Sequence, residues 1–220
     1  DWASVTKVSG PLPALMKLYD EGKFDLNQRL GFYWKDFAGS GKENLRIRDI
    51  LTHQAQLRPI IPLWQTKFAR DARLRNEVFK SYPYSETDIR VGHNLYMPVS
   101  YIDEFFKDIK ESTLLTRKSY NYSCVGFHLW PRIIENLTGK PYEDYLKETF
   151  YHRLGANTIT YNAYLHFPQE RIVPTEVDDY FRMETLRGFV HDEGAAILGG
   201  ISGNAGLFGT ANDLAKLFQM

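Results

Sequence analysis

The 220-residue sequence holds a single cysteine, Cys124, which excludes an internal disulfide and argues against a thiolate metal cluster. One cysteine does not fix a compartment, because many exported proteins carry no disulfide. The six histidines (His53, His93, His128, His152, His166 and His191) show no HExxH pairing, so no metal site is expected. No apolar run approaches the length of a membrane span, and no signal-peptide pattern opens the chain. Neither sign of charge is in excess: 27 Lys and Arg stand against 27 Asp and Glu. That balance excludes a global basic field for holding nucleic acid or an anionic membrane. Residues 67–75 carry four cations and one acid, which reads as a solvated helix face. Period-two alternation is scarce, so few strands are expected.

With 43% hydrophobic and 15% aromatic residues, the chain can build one sizeable core, or one core with a lobe attached. It opens at Asp1 and not at Met, which suggests that processing or excision has removed something upstream. From Ser4 to Glu21, apolar residues recur at helical spacing, interrupted by Pro11 and Pro13 and closed by Gly22. A short helix is expected at 47–53. Residues 54–98 read as an irregular inserted lobe or long loop. Tyr101, Phe105 and Ile109 mark another helix. A further helix is expected at 125–137, ended by Gly139, and the next should start with Pro141 at its first position and run to about Arg153. Asp192 heads a short helix, for which His191-Asp192-Glu193 reads as a turn or cap and not as part of a triad. Thr210 and Asp213 make a capping-box pattern for the last helix.

Ser4-Val5-Thr6-Lys7 is an SxxK motif at a helix start. Residues three apart share a face, so the hydroxyl and the amine can meet, and the helix N-terminus favours negative charge developing at the serine. A serine needs such a base to become a nucleophile. Tyr122-Ser123-Cys124, at the entry to the 125–137 helix, could supply a second proton-transfer group; the bland reading of Tyr122 is a packed aromatic. Other motifs fail. Gly39-Ser40-Gly41-Lys42 lacks the earlier glycine and the following Ser or Thr of a phosphate loop, and Gly200-Ile201-Ser202-Gly203 meets Asn204 where a nucleophile elbow needs glycine.

Four ordered segments resemble the serine β-lactamase and penicillin-binding-protein family, which includes class C β-lactamases, D-alanyl-D-alanine peptidases and esterases. They are ASVTKV with PALMKLYDEGKFDLNQRL, then LRIRDILTHQAQL, then YSCVGFHLWPRIIENLTGKPYEDYLKETFYHRLG, and GGISGNAGLFGTANDLAKLFQM. The resemblance implies an α/β (α+β) fold of the β-lactamase/transpeptidase type. Residues 1–220 would form a single partial domain, mainly helical and lacking the N- and C-terminal sheet strands along with the third motif borne on them. It implies Ser4 as acylated nucleophile, Lys7 as its proton partner and Tyr122 as general base, with Gly126 setting the tyrosine register. Cys124 falls at a substrate-binding position where the family usually has Asn or Asp, which puts β-lactam recognition in question more than serine chemistry. The Ser202-Gly203-Asn204 triplet fits an SxN pattern but falls in the family's variable glycine-rich loop, and is set aside. The chemistry implied is acyl transfer on an ester or amide: a β-lactam, a D-Ala peptide or a carboxylic ester. It needs no cofactor or metal, and its substrate is a small molecule or a peptidoglycan-derived one. Relatives suggest a periplasmic or otherwise exported setting and, in some, fusion to a glycosidase domain. The competing expectation is a non-catalytic accessory or binding module that keeps the fold.

Overall fold

The computed structural model describes residues 1–62, 67–68 and 70–220. Among the described residues ten α-helices follow one another: α1 (Thr6–Ser9), α2 (Pro11–Asp20), α3 (Leu30–Tyr33), α4 (Ile47–Leu51), α5 (Ala72–Val78), α6 (Tyr101–Glu111), α7 (Trp130–Thr138), α8 (Tyr142–Leu146), α9 (Glu193–Ile197) and α10 (Ala211–Phe218). Among the described residues, strands form only two antiparallel ribbons. In one, β1 (Ile89–Gly92) pairs with β2 (Leu95–Met97), placing Arg90 opposite Tyr96. In the other, β3 (Glu176–Asp178) pairs with β4 (Glu184–Leu186).

The core lies where helical apolar stripes meet. Leu15 and Leu18 of α2, Phe105 and Ile109 of α6, and Trp130, Ile133 and Ile134 of α7 are all buried together. Trp130 meets the rings of Phe24 and Phe127 edge-on, the arrangement that ring quadrupoles favour. A second anchor is ionic. Arg182 is buried with Asp178, its Nε donating to the carboxylate at 2.6 Å. Its other nitrogens donate to the carbonyls of Val190 and His191, so the fork fastens the β3–β4 ribbon to the chain entering α9.

Several element boundaries depart from the sequence expectation. The first helix does not run unbroken from Ser4. A 3-10 turn (Ala3–Val5) leads into α1, and the chain breaks at Gly10 before α2 begins at Pro11. A side chain at Gly10 would press on the buried Tyr142 hydroxyl at 2.7 Å, so this crossing requires glycine. Ser4 therefore sits at the head of about two turns, and the helix field available to it is correspondingly short. The 125–137 helix opens as a 3-10 segment (Val125–Leu129) before α7, and Gly139 closes it in the left-handed region at φ +69°. Pro141 is the N-cap of α8 and not its first helical residue: its ψ of 137° is extended, the conformation that suits a residue handing its carbonyl to the first turn. Beyond α8 the backbone widens to a π-turn (Lys147–Tyr151). The 54–98 stretch contains α5 and the β1–β2 hairpin. Asp192 caps α9 by accepting from the Ala195 N–H. Thr210 caps α10, but Asp213 turns to Thr158 and Lys216 instead of closing the box.

Candidate active site

Ser4 is exposed at the surface and Lys7, one turn on, is buried at 4% exposure. The Lys7 Nζ donates to Ser4 Oγ at 2.8 Å and to the Asn204 carbonyl at 3.0 Å, and lies 3.5 Å from Cys124 Sγ. It also sits 5.0 Å from the centroid of the Tyr122 ring and 5.7 Å from that of Phe127. Aromatic faces offer a buried cation partial compensation. No carboxylate lies within ion-pair distance of Lys7 among the described residues. The Lys7 amine thus gathers the other three residues singled out in the sequence: Ser4 and Cys124 by direct contact, Tyr122 through its ring.

The serine is seated from far along the chain. The Trp2 N–H donates to the Leu207 carbonyl at 2.8 Å, the Trp2 indole to the Gly209 carbonyl at 3.1 Å, and the Leu207 N–H to Thr6 Oγ1 at 3.1 Å. A Cβ at Gly209 would stand 2.5 Å from the Trp2 ring, which explains a glycine there. Asp1 bridges the same seam, accepting from the N–H groups of Ala3 and His191. Ala3, immediately before Ser4, is held at φ +46°, a region that non-glycine residues avoid.

Tyr122 is positioned by His53. The imidazole lies 4.5 Å from the Tyr122 ring and stacks on Phe127 at 5.4 Å. His53 Nδ1 accepts from the Ser123 N–H at 3.1 Å, and the His53 carbonyl accepts from the Asn121 N–H at 2.8 Å. Two bonds from backbone N–H groups thereby hold the segment on both sides of Tyr122, while the residue remains 43% exposed. Because Nδ1 accepts, the proton of the neutral ring is on Nε2. Burial first, and the nearby Lys7 ammonium second, hold His53 below the usual imidazole range. His53 itself has φ +58°, so this arrangement depends on a left-handed residue at the end of the α4 turn.

The glycine-rich loop supplies what the motif reading set aside. Ser202 and Asn204 are buried, at 0% and 1% exposure. The Ser202 hydroxyl donates to Asn204 Oδ1 at 2.8 Å and receives Nδ1–H from the buried His128 at 3.0 Å. The Tyr161 hydroxyl donates to the Ser202 carbonyl at 2.9 Å. This network fixes the residue whose carbonyl holds Lys7. Burial pulls His128 down to about 4, so the ring stays neutral near pH 7. Neither His53 nor the Asn204 carbonyl was singled out by sequence reasoning. The histidine could have been found within LRIRDILTHQAQL, but a carbonyl has no residue signature.

The β-lactamase family model matches residues 1–220. Among curated relatives, a "Putative D-alanyl-D-alanine carboxypeptidase" of Escherichia coli (strain K12) is 32% identical over 239 residues, covering all of this chain and 49% of the relative. Its namesake from Salmonella gallinarum is 32% identical over 244 residues, covering all of this chain and 50% of the relative. The chain thus spans about half the length of the curated relatives it matches. A penicillin-binding protein homologue from Pyrococcus abyssi superposes over 99% of this chain and 43% of its own, with a TM-score of 0.65 at 19% identity. A class C β-lactamase does so over 99% and 49%, with a TM-score of 0.60 at 17% identity. These likenesses give the fold, the β-lactamase/transpeptidase type, of which the described residues form a mainly helical portion. On the full-length match and on the identity to these relatives, the chain belongs to the β-lactamase family.

Proposed function

We propose that this chain carries the nucleophile half of a serine acyl-transfer site acting on D-alanyl peptides or β-lactams, with Ser4, Lys7 and Tyr122 as its catalytic residues. The observation that carries this reading is the buried Lys7 amine 2.8 Å from the exposed Ser4 hydroxyl, with no carboxylate to neutralise it. In the acylation step Ser4 Oγ bonds to the substrate carbonyl carbon. Its proton passes to the Lys7 and Tyr122 pair, and the C–N bond breaks as the leaving amine takes that proton. Water then attacks the ester, gives a proton back to Ser4 Oγ, and frees the acid. In the first turn the Ala3 and Val5 N–H groups are taken by the Asp1 carboxylate and the Trp2 carbonyl, which leaves the Ser4 N–H as the local donor for the developing oxyanion.

The names of the E. coli and Salmonella relatives favour a D-alanyl-D-alanine carboxypeptidase over an esterase, and with it an exported, cell-envelope setting. Cys124, beside Lys7 where the family usually has an amide or carboxylate, favours a second reading, a substrate-binding module without turnover. A fluorophosphonate probe separates the two, read by mass spectrometry of the peptide containing Ser4. The expected result is a single covalent adduct on Ser4, absent in Ser4→Ala and strongly slowed in Lys7→Met. A folded chain that takes no label, or a Ser4→Ala chain that takes as much, removes the catalytic assignment.

A further inference from the structure

A second set of chemistry-bearing side chains lies outside this site. Arg90 of β1, His93 of the β1–β2 turn and Arg187, just after β4, line a cavity of about 170 Å³. Its walls include Phe167 and the parallel rings of Tyr164 and Phe189, which stack with centroids 4.0 Å apart and planes 14° from each other. Among the described residues neither guanidinium is within 4 Å of a carboxylate; the buried arginine of the other ribbon, Arg182, has two. Arg90 gives Nε and Nη2 to the His93 carbonyl, which leaves Nη1 uncommitted, and lies 5.5 Å from the Tyr164 ring centroid. Arg187 makes one bond, Nη1 to the Gln169 carbonyl at 3.3 Å, so Nε and Nη2 have no protein acceptor among the described residues. Glu184 is occupied by His93: it accepts from the His93 N–H at 2.7 Å and lies 3.3 Å from Nδ1.

Two half-buried guanidiniums facing one small cavity repel each other unless an anion sits between them. The free Nε and Nη2 of Arg187 form the planar fork that matches a carboxylate, Arg90 adds its Nη1, and the aromatic wall suits a flat or apolar body attached to it. The volume is well below the roughly 300–1,000 Å³ of a drug-sized pocket, so the site would hold a small molecule or one end of a larger one. We propose that this cavity is a binding site for a small carboxylate bearing an apolar or aromatic body, formed by Arg90, Arg187 and the Tyr164–Phe189 stack.

The test uses the whole chain with benzoate as probe, benzamide as its neutral match, and inorganic phosphate as the anion without a body. Binding is read by titration calorimetry and by the rise in melting temperature. Benzoate should bind saturably and raise the melting point, while benzamide does neither and phosphate binds more weakly. Arg187→Gln should weaken benzoate by about tenfold or more, the loss expected for a charge-assisted pair, at an unchanged melting point without ligand. Arg117→Gln, an exposed cation that does not line the cavity, should leave binding as it is. Equal binding of benzamide, phosphate as tight as benzoate, or full affinity in Arg187→Gln would each overturn the proposal.

Discussion

Tyr122 is the residue at which packing and chemistry separate most cleanly. Its ring is held by His53 and lies beside Lys7, whereas its hydroxyl is not needed for either contact. Tyr122→Phe should therefore leave the melting temperature nearly unchanged. In an enzyme that turns over an activated ester, it should lower kcat by about 10²–10⁴-fold, the usual cost of losing proton-transfer help. Cys124→Ala removes a 3.5 Å sulfur contact and should cost far less. A cysteine change more damaging than the tyrosine change would mean that the sulfur, and not the phenol, governs Lys7. The serine and lysine were legible in the sequence because three-residue spacing on a helix dictates that side chains meet. The tyrosine was legible only by family likeness, since a separation of 115 or more residues has no periodic signal. His53 was not legible at all as the support under Tyr122: its role depends on a left-handed backbone angle that nothing in its neighbours requires.

At the scale of elements, the loop between α9 and α10 does more than connect them. Ser202→Ala would leave the His128 Nδ1–H and the Asn204 Oδ1 without partners in a fully buried place, costing about 1–3 kcal/mol. Because Asn204 also holds Lys7, the same change should slow fluorophosphonate labelling of Ser4. Thermal melts and labelling rates on one preparation check both, and an unaltered rate with a lowered melting point would show that the loop serves stability alone. His128 adds a pH dependence of definite sign. The unfolded chain takes up a proton on this ring near pH 6.5, while the folded one refuses it until about 4. Stability is thus complete above pH 6.5 and falls as pH drops towards 4, by on the order of 3 kcal/mol across the window. His53, shifted the same way, adds to the fall. Melting temperatures between pH 7 and 4.5 should show this decline, and His128→Gln should flatten it. Helix ends in this chain were readable wherever a cap or a left-handed glycine marks them, as at Gly139, Asp192 and Thr210. The break at Gly10 was not, because it answers to Tyr142 and Tyr161, which reach it from more than 130 residues away.

Across the whole molecule, α2 and α10 leave an apolar cleft of about 860 Å³ lined by Leu15, Met16, Tyr19, Phe24, Phe218 and Met220. Met16 is 63% and Phe218 58% exposed there. A contiguous apolar surface of this kind favours association, so the 220-residue chain alone should bind a hydrophobic dye and elute larger as its concentration rises. Met16→Lys with Phe218→Lys should suppress both; a wild-type chain that stays monomeric and dark would refute the expectation. The fold class was legible as a family likeness carried by four segments, but no pattern in the sequence states which helix faces stay uncovered. A different consequence follows from the seam between Trp2 and residues 207–209. Contacts that close loops of about two hundred residues bear the full entropic cost of bringing distant chain together, and they form late. During synthesis Ser4 leaves the ribosome about two hundred residues ahead of Gly209, and it has no seat until Gly209 has followed. Over that interval the segment around Ser4 has no fixed place, and it is set there together with the residues that lead into α10.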